Sequence, residues 1–69
     1  MNYGLVLKRL RLRAGLTQTE VAKKIGYADK GTVWRKESGK IPTRIGDLLL
    51  LARMTNVTLY QDHNGEWTF

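Results

Sequence analysis

Thr17-Gln18-Thr19-Glu20-Val21-Ala22-Lys23-Lys24-Ile25-Gly26, continued by Tyr27-Ala28-Asp29-Lys30-Gly31-Thr32-Val33-Trp34-Arg35-Lys36-Glu37-Ser38-Gly39, decides the fold of this 69-residue chain. The first four residues form a capping box. The Thr17 hydroxyl can accept the Glu20 backbone N–H while the Glu20 carboxylate reaches back to Thr17, so a helix starts here. Val21, Ala22 and Ile25 supply its inward side. Gly26 closes it, because the position after a helix C-cap favours positive φ. Residues 27–29 make a turn, and Asp29 is the best available N-cap for a second helix of about two turns running to Gly39.

Working outward, Tyr3, Leu7 and Leu10 recur at i, i+4 and i+7, which predicts an N-terminal helix ended by Gly15. Downstream, Ile41-Pro42-Thr43 reads as a loop with Thr43 as a cap. Ile45, Leu48, Leu49 and Ala52 form the core stripe of a fourth helix ending near Asn56. The character then changes. Val57, Thr58, Leu59 and Tyr60 are β-branched, aromatic or alternating, and Asn64-Gly65 is a strong two-residue hairpin signal. Such a turn pairs His63 with Glu66, Asp62 with Trp67, Gln61 with Thr68 and Tyr60 with Phe69. Tyr60, Trp67 and Phe69 then share one face, with Val57 and Leu59 on the other. The expected class is mostly α, with a four-helix domain in residues 1–56 and a C-terminal β-strand or hairpin in residues 57–69.

A chain this short makes one small domain and buries only about 60% of its unfolded surface, so its core needs support from elsewhere. There is no Cys, which removes disulfides and Cys-based zinc sites. His63, the single His, cannot assemble a metal site alone, and no metal or cofactor is expected. Self-association is the remaining device. The longest uncharged apolar run, residues 48–52, is far below the roughly 18 residues of a membrane span, and nothing signals export, so the cytoplasm is the expected compartment. One His beside a turn and no paired carboxylates offer no active site, so no catalytic residues are expected.

The charge is unevenly placed. Net charge is +6, and all 12 Lys and Arg lie within residues 1–53 against four acids there, Glu20, Asp29, Glu37 and Asp47. Residues 54–69 carry only Asp62 and Glu66. A basic body of this kind is the footprint of a polyanion partner, with nucleic acid ahead of an anionic membrane surface. Charge alone leaves that choice open. Lys8, Arg9 and Arg13 read first as a solvated helix face, whereas Arg11 reads as a contact.

Two helices joined by a short Gly-containing turn, the second one basic, make a helix-turn-helix unit. Tyr3-Gly4, Leu7, Leu10-Arg11, Gly15-Leu16-Thr17-Gln18, Glu20, Ala22 and Ile25-Gly26, followed by Thr32-Val33, Glu37 and Gly39, resemble the Cro/repressor-type helix-turn-helix family over roughly residues 3–57. The resemblance implies a small lambda-repressor-like domain. It also implies that Gln18 touches the DNA backbone and braces the recognition helix, and that Arg11 reaches a phosphate. By the same resemblance Lys30, Gly31 and Arg35 face base edges, Thr32 and Trp34 lie beside the groove, and Lys40 and Arg44 follow the backbone. Arg35 agrees with this independently, since its planar fork can pair with guanine O6 and N7 together. The chain departs from the family pattern in three places. One extra residue stands between Gly26 and the third-helix cap. The tail replaces a fifth helix. Lys36 occupies a usually apolar position, so that Val33 or Trp34 fills that space, Trp34 being then either core or DNA contact.

The leading expectation is a DNA-binding transcriptional repressor, a homodimer on a palindromic double-stranded operator. An antitoxin that also binds a toxin protein is the alternative role. A protein interaction module without specific DNA binding is the alternative class. Leu5, Leu12 and Leu50 fall outside the core stripes, and Leu50 is the best interface candidate among them. Val57, Leu59, Tyr60, Trp67 and Phe69 complete the expected dimer interface, either through an intramolecular hairpin or through a strand pairing between subunits.

Overall fold

A computed structural model describes residues 3–69. Residues 1 and 2, which open the expected domain 1–56, lie outside the described residues. The chain forms α1 (Tyr3–Arg13), α2 (Gln18–Ile25), α3 (Lys30–Glu37), α4 (Ile45–Thr55), β1 (Tyr60–Gln61) and β2 (Trp67–Thr68).

Local chemistry sets most of these boundaries. The Thr17 hydroxyl accepts the Glu20 N–H at 3.1 Å and the Glu20 carboxylate accepts the Thr17 N–H at 2.9 Å, so both halves of the capping box are made. Gly26, at φ 81°, turns the chain out of α2 while its N–H bonds the Ala22 carbonyl. Asp29 caps α3 by accepting the Thr32 N–H at 3.1 Å, which places the first helical residue at Lys30. The start of α4 differs from expectation. Arg44, not Thr43, is its N-cap residue, and the Asp47 carboxylate takes the Arg44 N–H at 2.9 Å. The Thr43 hydroxyl donates to the Lys36 carbonyl at the end of α3.

The core is one cluster drawn from all four helices: Leu7 and Leu10, Val21 and Ala22, Val33, and Leu48, Leu51 and Ala52. α1 packs on α3 and α4, and α2 packs on the same two helices. The α4 stripe is a correction: Leu51 is fully buried, whereas Leu49 is 46% exposed. Residues 48–51 are four consecutive leucines, and four in a row carry no helical phase. Packing against α1 selects Leu48 and Leu51.

The tail is an antiparallel hairpin whose register is also corrected. Tyr60 pairs with Thr68 and Gln61 with Trp67, one residue away from the expected pairing. Asp62 causes the slip. Its carboxylate accepts the N–H groups of Asn64 at 2.8 Å and Glu66 at 3.1 Å, and its carbonyl accepts the Gly65 N–H at 2.9 Å. The loop is therefore His63, Asn64 and Gly65, with Gly65 at φ 79° in the left-handed position of a three-residue hairpin. A slip of one residue exchanges faces. Leu59 and Phe69 pack on the core, and the Arg13 guanidinium lies 5.8 Å from the Phe69 ring centre, tying the tail to α1.

Candidate nucleic-acid interface

α3 has two sides of opposite character. Val33 is fully buried, so it fills the space beside Lys36. Trp34 is 49% exposed, which makes it a surface side chain and not core. Lys30, Trp34, Arg35 and Ser38 are exposed, and with Gly31 they form one continuous outward strip at i, i+1, i+4, i+5 and i+8. Thr32 stands at its edge, where its hydroxyl accepts a long hydrogen bond of 3.4 Å from Arg35 Nη2. Lys40 Nζ lies 5.6 Å from the centre of the Trp34 ring, so the loop after α3 adds its cation to the same strip.

The inner side of α3 is fixed by two ion pairs from adjacent residues. Glu37 accepts from Arg11 Nε at 2.7 Å, from Arg11 Nη2 at 3.2 Å and from Gln18 Nε2 at 3.2 Å. The Arg11 and Glu37 side chains are only 12% and 5% exposed. Arg11 Nη1 also donates to the Leu16 carbonyl at 3.0 Å. One carboxylate thus joins α1, the start of α2 and the end of α3. Gln18 braces α3 through it, and three of the five Arg11 N–H donors are used internally.

Lys36 holds the other flank. Its ammonium donates to the Asp47 carboxylate at 3.1 Å and to the Pro42 carbonyl at 3.0 Å, and lies 5.2 Å from the centre of the Tyr27 ring. Burial alone raises the Asp47 carboxyl, but Tyr27, the Arg44 N–H and Lys36 together hold it below its ordinary value. Desolvation first, and then the neighbouring Asp47 carboxylate, push the Tyr27 hydroxyl far above the usual tyrosine range. That hydroxyl is buried beside Asp47 without a hydrogen bond of good geometry.

These pairings leave the surface basic. Arg11 and Lys36 are neutralised by Glu37 and Asp47. Lys8, Arg9, Arg13, Lys23, Lys24, Lys30, Arg35, Lys40, Arg44 and Arg53 are exposed, and the only other acids in the helical body are the two helix caps Glu20 and Asp29. Two shallow grooves flank the strip. One is lined by Arg11, Thr17, Gln18, Thr19 and Lys30, the other by Lys8, Gln18, Trp34 and Ser38.

Of the expected DNA-facing residues, Lys30, Gly31, Thr32, Trp34, Arg35 and Lys40 come together around the outward side of α3, Gln18 sits beside them, and Arg44 lies exposed at the start of α4. Of the expected interface residues, Leu50 and Tyr60 are exposed, Trp67 is half-buried, and Val57, Leu59 and Phe69 pack on the chain's own core. Sequence reasoning assigned no role to Glu37. Its only signal was a carboxylate four residues after Val33, on the inward side of a short helix.

No helix among the described residues is long and apolar enough to cross a membrane. A family model described as a helix-turn-helix domain matches residues 2–62. Comparison with curated proteins and with solved structures found no match.

Proposed function

The chain belongs to the helix-turn-helix domain family, and from that premise we propose that it is a sequence-specific binder of double-stranded DNA. On this reading it represses transcription from the cytoplasm as a homodimer on a two-fold symmetric operator. The observation that carries it is the outward strip of α3, basic, exposed and without an ion pair among the described residues, on a helix whose inner side is fixed by Glu37 and Lys36. α3 enters the major groove, with Lys30 and Arg35 at base edges and Trp34 and Thr32 against the groove wall. Lys40 and Arg44 follow the phosphates. Gln18 meets a phosphate at the N-terminus of α2, where the helix dipole favours an anion. The two Arg11 N–H groups not bound to Glu37 or Leu16 are the donors left for that phosphate.

The dimer contact is best supported at α4. Leu49, Leu50 and Met54 are exposed, and they lie on one helical face with Gly46, which carries no side chain to keep a partner away. Tyr60 on β1 is a further exposed aromatic side chain. A two-fold axis there sets two recognition helices about one turn of DNA apart.

Selection from a pool of randomised duplexes tests the reading. It should enrich a two-fold symmetric sequence with half-sites about one helical turn apart. Log affinity for that sequence should fall with log salt by about 0.9 for each phosphate contacted. A salt-independent affinity refutes DNA binding, and equal affinity for every duplex points to a protein interaction module.

A further inference from the structure

The bay over the first turn of α3 is where the structure carries something beyond DNA binding as such. Side chains on a helix lean toward its N-terminus, so Arg35 lies back over the residue four positions earlier, Gly31. A Cβ at Gly31 would stand 3.2 Å from Arg35 Nη1 and 3.1 Å from Asp29 Oδ1. The backbone of Gly31 is ordinary helix, so a side chain there would meet no φ strain but would require the Asp29 and Arg35 side chains to move aside by a few tenths of an ångström. Asp29 and Thr32 wall the bay, and the Thr32 hydroxyl takes the Arg35 Nη2 hydrogen bond at 3.4 Å.

We propose that Gly31 is a specificity-positioning residue, whose missing side chain lets the Arg35 guanidinium lie along the first turn of α3 and present its fork to one guanine. The inference rests on the DNA-binding reading and adds the residue that aims the contact. Lying back by one turn, about 5.4 Å, brings the guanidinium from the second turn to the N-terminal end of the helix, the end that such helices push deepest into the groove. Asp29 then has two roles. Its side-chain oxygen caps α3, and the same oxygen closes one side of the bay.

The experiment compares wild type, Gly31→Ala, Arg35→Ala and the double variant. Circular dichroism first checks that each is folded; alanine is the stronger helix former, so Gly31→Ala should keep the wild-type transition. Duplex selection with wild type should enrich a guanine at one position of each half-site. Arg35→Ala should lose that preference. Gly31→Ala should lose or move the preference at the same position, with affinity for the wild-type site down about ten-fold and affinity for a scrambled duplex nearly unchanged. The double variant should be no worse than Arg35→Ala, because both changes remove one contact. Gly31→Ala selecting the wild-type sequence at wild-type affinity, or losses that simply add, overturns the proposal. A reading without DNA keeps the two inferences separate: the Arg35 side-chain ¹⁵N resonances of the free protein should show restricted motion in wild type and free rotation in Gly31→Ala. Equal mobility in both overturns the role of Gly31, whereas failure of wild type to select any sequence with the bay ordered overturns the function it serves.

Discussion

Replacing Glu37 by Leu removes the carboxylate that joins α1, α2 and α3 while nearly keeping its volume. Three hydrogen bonds go with it, two from Arg11 and one from Gln18. The larger effect is on Arg11, whose side chain is 12% exposed and whose guanidinium would be left without its counter-charge. Breaking a fully buried pair costs about 3–5 kcal/mol. Arg11 keeps the Leu16 carbonyl and some contact with water, which brings the expected loss to about 2–3 kcal/mol. A domain of this length has a total stability of only about 3–10 kcal/mol. The midpoint of thermal unfolding should therefore fall by about 8–20 °C. Urea and thermal unfolding followed by far-UV circular dichroism measure it, and Arg11→Met should cost a similar amount by stranding Glu37. The double variant Arg11→Met with Glu37→Leu separates lost attraction from a stranded charge. With both charges gone and apolar stems in their place, stability should return to within about 1 kcal/mol of wild type. Single variants within about 0.5 kcal/mol of wild type, or strictly additive losses, would show that the pair does not fix α3.

Arg35→Ala should cost about 1–3 kcal/mol on the selected duplex and flatten preference at one position, whereas Lys40→Ala should weaken all duplexes alike; fluorescence anisotropy on specific and scrambled DNA distinguishes them. Asp47 has a lower pKa folded than unfolded, so the stability it contributes is present above its ordinary value of 3.8 and is lost as pH falls from there through the lower folded value; Asp47→Asn should flatten that part of the acid-unfolding profile. Leu50→Asp should convert a dimer to a monomer in sedimentation equilibrium and reduce operator affinity far more than affinity for random duplex. If it remains dimeric, the contact lies on the tail, where Tyr60 is the next residue to change.

What the sequence made legible is what short-range chemistry decides. Thr17 with Glu20, Gly26, and Asp29 at the start of α3 each act within four residues, and each does so in the structure as its spacing predicts. Interactions across the chain were less visible. Arg11 and Glu37 are 26 residues apart, and nothing in either neighbourhood announces the pair. Leu48–Leu51 offered two inward faces of equal hydrophobicity, so Leu49 was placed inside where Leu51 belongs. In the tail, Asn64-Gly65 is a true turn signal, but the Asp62 carboxylate captures two further N–H groups and moves the register by one. At the site, the choice between Trp34 and Val33 rested on which side of an eight-residue helix joined the core, a matter of packing and not of spacing.

The adjacency of Lys36 and Glu37 has an evolutionary consequence. Val33, Lys36 and Glu37, with the caps, hold α3 to the molecule, while Lys30, Trp34 and Arg35 are exposed and make no ion pair or core contact among the described residues. Substitution at such exposed positions typically changes stability by no more than about 0.5 kcal/mol. On the proposed reading, the address presented by the helix is therefore free to drift without putting the fold at risk. Related chains would diverge to different operators through changes at Lys30, Trp34 and Arg35, leaving Val33, Lys36 and Glu37 untouched.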